Sequence, residues 1–376
     1  MDQQKACNQG CDGWSTRALP YLFVLFLIPL AAGCLSRPFQ TIMRGSMNMR
    51  GDMNMTGNMD MSGQVSTVMK TDNTASRLAS VPIYSSPRSQ QSKAVVVLDV
   101  DGILLNKNIG GIGSLGENPV ALFREKLDVI ATDPKVGAIV LRINSPGGGV
   151  TAADIMHRDL LQVKNSRNIP VVACLMDVGA GGGYYVASGA DHIVAHPTSL
   201  VGGIGVILNI YFLTDMSMFS VSSQPVTSGP KINMATPDRD MELEERELLQ
   251  GIANEFHQRF IAKVRKDRDL PEEQSELIFD GRVMTGESAL ANHLVDDLGY
   301  LDDAVVKARE LADLPERAPV MMLRRDNDRA YTLLDVTPNV PTMTSLVPLK
   351  IPGLDRSQMP SYLYLWQPEP SMTTGI

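Results

Sequence analysis

Glycines mark the first place where this chain can do chemistry. Arg142-Ile143-Asn144-Ser145-Pro146-Gly147-Gly148-Gly149 closes an apolar run with a glycine turn, and a helical pattern follows. A strand that turns into a helix in this way points backbone N–H groups at whatever sits above it. Asp154, His157, Asp191, His192 and His196 are of the types that build acid–base triads. Ser145 lies inside the glycine turn and Ser188 about two helical turns beyond Gly182, so no serine or cysteine at a matching strand–helix junction goes with them. Their expected roles are therefore capping and surface pairing. Cys7 and Cys11 have a metal-like spacing but no further ligand cluster beside them, so no metal site is expected.

The elements that position the turn can be read from periodicity. Ala94-Val-Val-Val-Leu-Asp-Val is a short apolar run of the kind a buried strand makes. Asn118-Pro119 can cap and open a helix whose apolar face is Val120, Leu127 and Ile130. Val136–Ile143 reads as a second strand, Thr151–Val163 as a second helix and Pro170–Met176 as a third strand. Leu248, Leu249, Ile252, Phe256, Phe260 and Val264 recur at helical spacing with charged residues between them, a long amphipathic helix. Strands alternating with helices predict right-handed β-α-β units on a largely parallel sheet, an α/β fold.

Bulk composition narrows the function. Among 376 residues, 44% are hydrophobic, enough for sizeable cores. The net charge is −8 and aromatics make up 5%, so neither a basic groove nor a stacking platform for nucleic acid is expected. Before the body, Lys5 and Arg17 precede an apolar stretch, Ala18–Leu30, followed by Ala31-Ala32-Gly33-Cys34. A basic flank, a short apolar core and small residues compose an export signal. The Leu-Ala-Ala-Gly-Cys ending resembles a bacterial lipobox, which implies acylation of Cys34; the other reading is an uncleaved signal anchor. Either places the rest of the chain outside the cytoplasm and beside a membrane. Met43–Met69 alternates methionine with Gly, Asn, Asp and Ser, and reads as part of a flexible tether. Capture of copper(I) by Met-x-Met pairs is the sharper reading, but no nearby His or Cys supports it. The segment from Pro315 is rich in proline and should be extended or irregular, with one strand at Val320–Leu323. The expected organisation is thus a signal over 1–34, a linker over 35–92, a folded body over 93–314 and a tail over 315–376.

Four ordered segments of the body carry a family resemblance. They are the Ser145-Pro146-Gly147-Gly148 turn; Asp177-Val178-Gly179-Ala180-Gly181-Gly182-Gly183-Tyr184-Tyr185; Ile193–Pro197 running to Gly202-Gly203-Ile204-Gly205-Val206; and Asp280–Leu290 running to Gly299. In that order they resemble the signal peptide peptidase A family of serine peptidases, whose fold is related to ClpP and the crotonases. The resemblance implies a fold of repeated β-β-α/β-α-β units, an oxyanion hole at Gly147 and Gly148, no cofactor, a peptide substrate or ligand, and assembly into a homo-oligomer. A mixed assembly with an active paralogue is a further expectation.

The chemistry departs from the resemblance. The family's nucleophilic serine falls on Gly181, which has no side chain to attack a carbonyl. Aligned without gaps over Ser228–Pro237, the lysine base falls on Ile232, and Lys231 is its neighbour. Were this segment extended, a one-residue step would turn Lys231 to the opposite side. The sequence therefore predicts a membrane-associated protein of the cell envelope with the peptidase architecture and without its dyad. An active peptidase with a rearranged site, using Lys231, and a crotonase-like acyl-transfer enzyme are the alternatives.

Overall fold

The computed structural model describes residues 77–84, 93–111, 114–210, 227–236, 239–271, 276–325, 332–334 and 362–366, all within the second of two compact units, Val68–Ile376. The signal with Cys34, Cys7 and Cys11, and the methionine tract lie outside the described residues. In chain order the strands are β1 (Ala79–Tyr84), β2 (Ala94–Leu104), β3 (Ile109–Gly111), β4 (Ser114–Glu117), β5 (Val136–Gly149), β6 (Val171–Ala180), β7 (His192–Ala195), β8 (Leu200–Gly202), β9 (Ile207–Leu208), β10 (Val283–Thr285), β11 (Asp297–Leu298), β12 (Val320–Arg324) and β13 (Tyr362–Leu365). The α-helices are α1 (Pro119–Thr132), α2 (Val150–Arg167), α3 (Gly182–Ala187), α4 (Leu243–Asp267), α5 (Gly286–Ala291) and α6 (Leu301–Leu311).

The main sheet runs β1-β12-β2-β5-β6-β7-β11, with β8 and β10 continuing from β6 and with β13 and β9 continuing from β5. From β12 to β11 along that path, neighbours are parallel, while β1, β10 and β13 pair antiparallel. This is the expected α/β architecture. Strands buried on both faces need apolar side chains at successive positions, and the sequence supplies them. Val96, Leu98, Ile139, Leu141, Ile143, Val171, Ala173 and Leu175 join the core under α1, α2, α3 and α4. Their neighbours Val95, Val97, Ala138, Val140, Val172 and Cys174 form the opposite core, under α6. Asn118 caps α1 as expected, its Oδ1 accepting from the amides of Val120 (3.0 Å) and Ala121 (3.2 Å), with Pro119 in the first turn.

Two elements fall where regular structure was not expected. β1 lies inside the stretch read as linker and pairs with β12. β13 lies in the proline-rich tail, against β5 and β9. Both are short, and each becomes a strand only because a distant partner satisfies its backbone groups.

Buried charge ties the sheet together across its width. The Asp99 carboxylate on β2 accepts from Arg142 Nη1 on β5 (2.9 Å) and Arg324 Nη1 on β12 (2.6 Å), and Lys126 Nζ on α1 lies 3.8 Å away. Burial alone would raise the Asp99 pKa, but Lys126, Arg324 and Arg142 together hold it below the usual carboxylate range. Asp101, two residues on, has among the described residues only Arg142 at 3.6 Å as an ion-pair partner, and burial together with the like charge of Asp99 outweighs it, raising its pKa to about 6. A carboxyl whose pKa rises on folding contributes stability below its unfolded value of 3.8, and that contribution is lost as the pH climbs through about 6. Asp101→Asn is therefore expected to match the parent at pH 4 and to exceed it at pH 7.5, by on the order of 2 kcal/mol. Paired thermal melts at the two pH values check this; a gap of equal size at both would refute it.

Candidate functional site

Three strand ends bring glycine turns to one point. Gly147 closes β5 with φ +112°, Gly181 follows β6 with φ +51° and ψ −126°, and Gly202 and Gly203 close β8. The Gly181 amide donates to Gly202 O at 2.9 Å. A Cβ added to Gly182 would lie 3.3 Å from Gly148 N, and one added to Gly203 would lie 3.2 Å from Gly181 N. The turns thus touch backbone to backbone, which side chains would prevent. Above Gly181 lies the main chain of β13: a Cβ there would sit 2.4 Å from Tyr364 O, 2.8 Å from Tyr364 C and 2.9 Å from Pro146 O. A backbone carbonyl group is therefore held over the junction where a nucleophile would project.

The comparisons with known proteins now bear on this geometry. The family model described as peptidase family S49 matches residues 163–315, which include the Gly181 and Gly202 turns. Over these residues the chain is similar to peptidase family S49. Protease 4 of Salmonella typhi is 30% identical over 81% of this chain and 46% of its own length. A putative signal peptide peptidase SppA of Enterococcus faecium is 28% identical over 59% of this chain and 65% of its own. A chloroplastic serine protease SPPA of Arabidopsis thaliana is 29% identical over 62% of this chain and 33% of its own. The chain thus matches between a third and two thirds of each of these relatives.

Around these turns, the groups that the sequence singled out for catalysis have other partners. The Gly147 amide, expected to face an oxyanion, donates to Ser145 Oγ at 3.1 Å, and Ser145 Oγ donates to Gly102 O at 2.6 Å. Ser145 is fully buried, so its hydroxyl fixes the turn. Gly148 pairs with Tyr364 in the β5–β13 ladder. Lys231 does not lie on an extended segment, so the alternation of sides expected of a strand does not hold there. Ser228–Ala235 is a run of turns, closed by Ile232 N to Gly229 O and Met234 N to Lys231 O, both 3.3 Å. Pro230 sits inside that run and fits a turn better than a strand. The Lys231 ammonium pairs with Glu244 (2.8 Å) in the first turn of α4 and with Glu242 (3.4 Å) just before it. The hydrogen bond to Glu244, aided by Glu242, raises its pKa. A general base needs the opposite, a desolvated amine that can lie neutral. Ile232 is 71% exposed.

The remaining candidates serve structure. Asp154 accepts from Tyr185 Oη (2.7 Å) and Arg259 (3.1 Å). His157 Nε2 and Ser188 Oγ both meet Asp267 Oδ2, at 2.8 and 3.2 Å, which anchors the end of α4 to α2 and α3. Asp191 accepts from Val171 N and pairs with Lys164; His192 pairs with Asp297; His196 pairs with Thr198. The Cys174 thiol is buried in the sheet and its pKa is pushed up to about 12 by that burial, so it stays protonated. Among the described residues no cluster of His, Cys, Asp and Glu could hold a metal ion, and no helix is long and apolar enough to cross a membrane.

Sequence reasoning missed β13. Its signal was the alternation Tyr362-Leu363-Tyr364-Leu365 between Pro360 and Pro368, a period-two pattern too short to stand out in a proline-rich tail.

Proposed function

We propose that this protein is a membrane-associated S49-family component of the cell envelope that keeps the peptide site of the fold and has no peptidase chemistry of its own. The observation that carries this is Gly181, which offers no attacking oxygen at the junction and leaves no room for one beneath the Tyr364 carbonyl. The charged state of Lys231 and the engagement of the Gly147 amide support the same reading. The envelope location rests on the apolar run Ala18–Leu30 and Cys34. A homo-oligomer, or a mixed assembly with an active relative, belongs to the proposal too. Ile232, Leu243 and Leu248 are exposed apolar side chains around the Lys231–Glu244 pair, and covering them would suit an assembly surface.

A fluorophosphonate probe tests the absence of chemistry. The purified full chain is expected to remain unlabelled under conditions that label an active S49 peptidase to completion. Stoichiometric labelling would establish a reactive serine and overturn the reading.

A further inference from the structure

β13 is seated as a ligand would be. It is antiparallel to the end of β5 on one side, with Leu363, Tyr364 and Leu365 opposite Gly149, Gly148 and Gly147. It is antiparallel to β9 on the other, with Tyr362 opposite Leu208 and Leu363 opposite Ile207. β6 pairs with β5 only as far as Ser145, opposite Gly179, so the strand enters where β6 departs. Beyond it, Trp366 N donates to Pro146 O at 2.9 Å. Backbone pairing of an extended segment to open strand edges, with alternate side chains in pockets, is the general mode of strand-addition recognition.

The pockets are built for aromatic rings. Tyr364 is fully buried. Its ring stacks on Tyr185 at 5.3 Å and meets Phe260 at 4.5 Å, and its hydroxyl donates to Phe256 O at 2.9 Å. Two residues earlier, on the same side of the strand, Tyr362 meets the Phe256 ring at 5.2 Å and donates to Leu249 O at 2.9 Å. Both tyrosines therefore read α4, while the Tyr364 carbonyl lies over Gly181.

We propose that Tyr362–Leu365 is a resident ligand of the S49 groove, and that this groove accepts other extended peptides with aromatic residues at alternate positions only when the resident strand leaves. The proposal rests on reading the converging turns as a peptide site, but not on whether that site is catalytic. A tethered occupant competes at an effective concentration on the order of millimolar. A free peptide of equal intrinsic affinity is therefore almost excluded from the intact chain.

The probe is a fluorescein-labelled peptide, Ser-Tyr-Leu-Tyr-Leu-Trp-Gln, copied from Ser361–Gln367. Fluorescence anisotropy is measured on three proteins: the full chain, a chain ending at Pro360, and the full-length Tyr364→Ala variant. The shortened chain and the variant are each expected to bind the peptide at least 100-fold more tightly than the full chain. The same peptide with alanine for the second tyrosine should bind neither. Circular dichroism establishes which proteins are folded; if the shortened chain is not, Tyr364→Ala decides alone. Equal binding by the parent and a folded opened form, no binding by a folded opened form, or indifference to the tyrosine would each overturn the proposal. Fluorophosphonate labelling of the full chain would sink the non-catalytic reading and leave this one standing.

Discussion

Asp99→Ala is expected to be the most damaging single substitution in the described fold. The carboxylate is 6% exposed and receives Arg142, Arg324 and Lys126, which come from β5, β12 and α1. Removing it deprives buried cations of the anion they share and leaves much of their desolvation less well compensated. Breaking a buried pair from one side costs about 3–5 kcal/mol, and here one carboxylate serves several partners. Against a typical total stability of about 5–15 kcal/mol, that places the variant at or near unfolding at 37 °C. Differential scanning calorimetry should show the melting temperature lower by about 10 °C or more. Asp99→Asn, which keeps the shape and one acceptor oxygen, should fall between the two. A shift of under 2 °C for Asp99→Ala would show that the cluster is held by other groups.

Gly181→Ser is expected to dislodge the C-terminal strand without producing a peptidase. At φ +51° and ψ −126° any residue with a Cβ is strained, by about 1–3 kcal/mol. The new Cβ would also lie 2.4 Å from Tyr364 O and 2.8 Å from Tyr364 C, which are backbone atoms that cannot rotate away. Relief comes when β13 lifts. Hydrogen exchange at the amides of Leu363–Leu365 should quicken by at least 100-fold, and Trp366, one of two tryptophans, should report the release by fluorescence. Gly181→Ala should do the same, because the Cβ and not the hydroxyl collides. Unchanged exchange in both variants would mean that the turn yields instead. No hydrolysis should follow, since the new hydroxyl has no base: Lys231 is charged and paired with Glu244. Adding Ile232→Lys should not help either, because position 232 is open to solvent, and a solvated amine stays protonated at neutral pH.

The sequence by itself determined the scaffold and the glycine at position 181. Runs such as Ala94–Val100 and Val136–Ile143 are apolar at successive positions, and only strands buried on both faces need that. Asn118-Pro119 marked a helix start through local hydrogen bonding alone. The glycine turns were legible because close backbone contact excludes side chains, and the identity of residue 181 is a fact of sequence. What only the tertiary structure decided depends on partners far along the chain. Asp99 reads as part of an apolar strand until Lys126, Arg142 and Arg324 arrive around it. Lys231 could be weighed as a base until a turn set it beside Glu244. Tyr362–Leu365 has too few residues to be a strand alone and becomes one between β5 and β9, whose free edges supply the hydrogen bonds its own stretch of chain cannot. The absence of an attacking group at Gly181 was written locally; the carbonyl that covers it comes from a segment the chain must fold back to deliver.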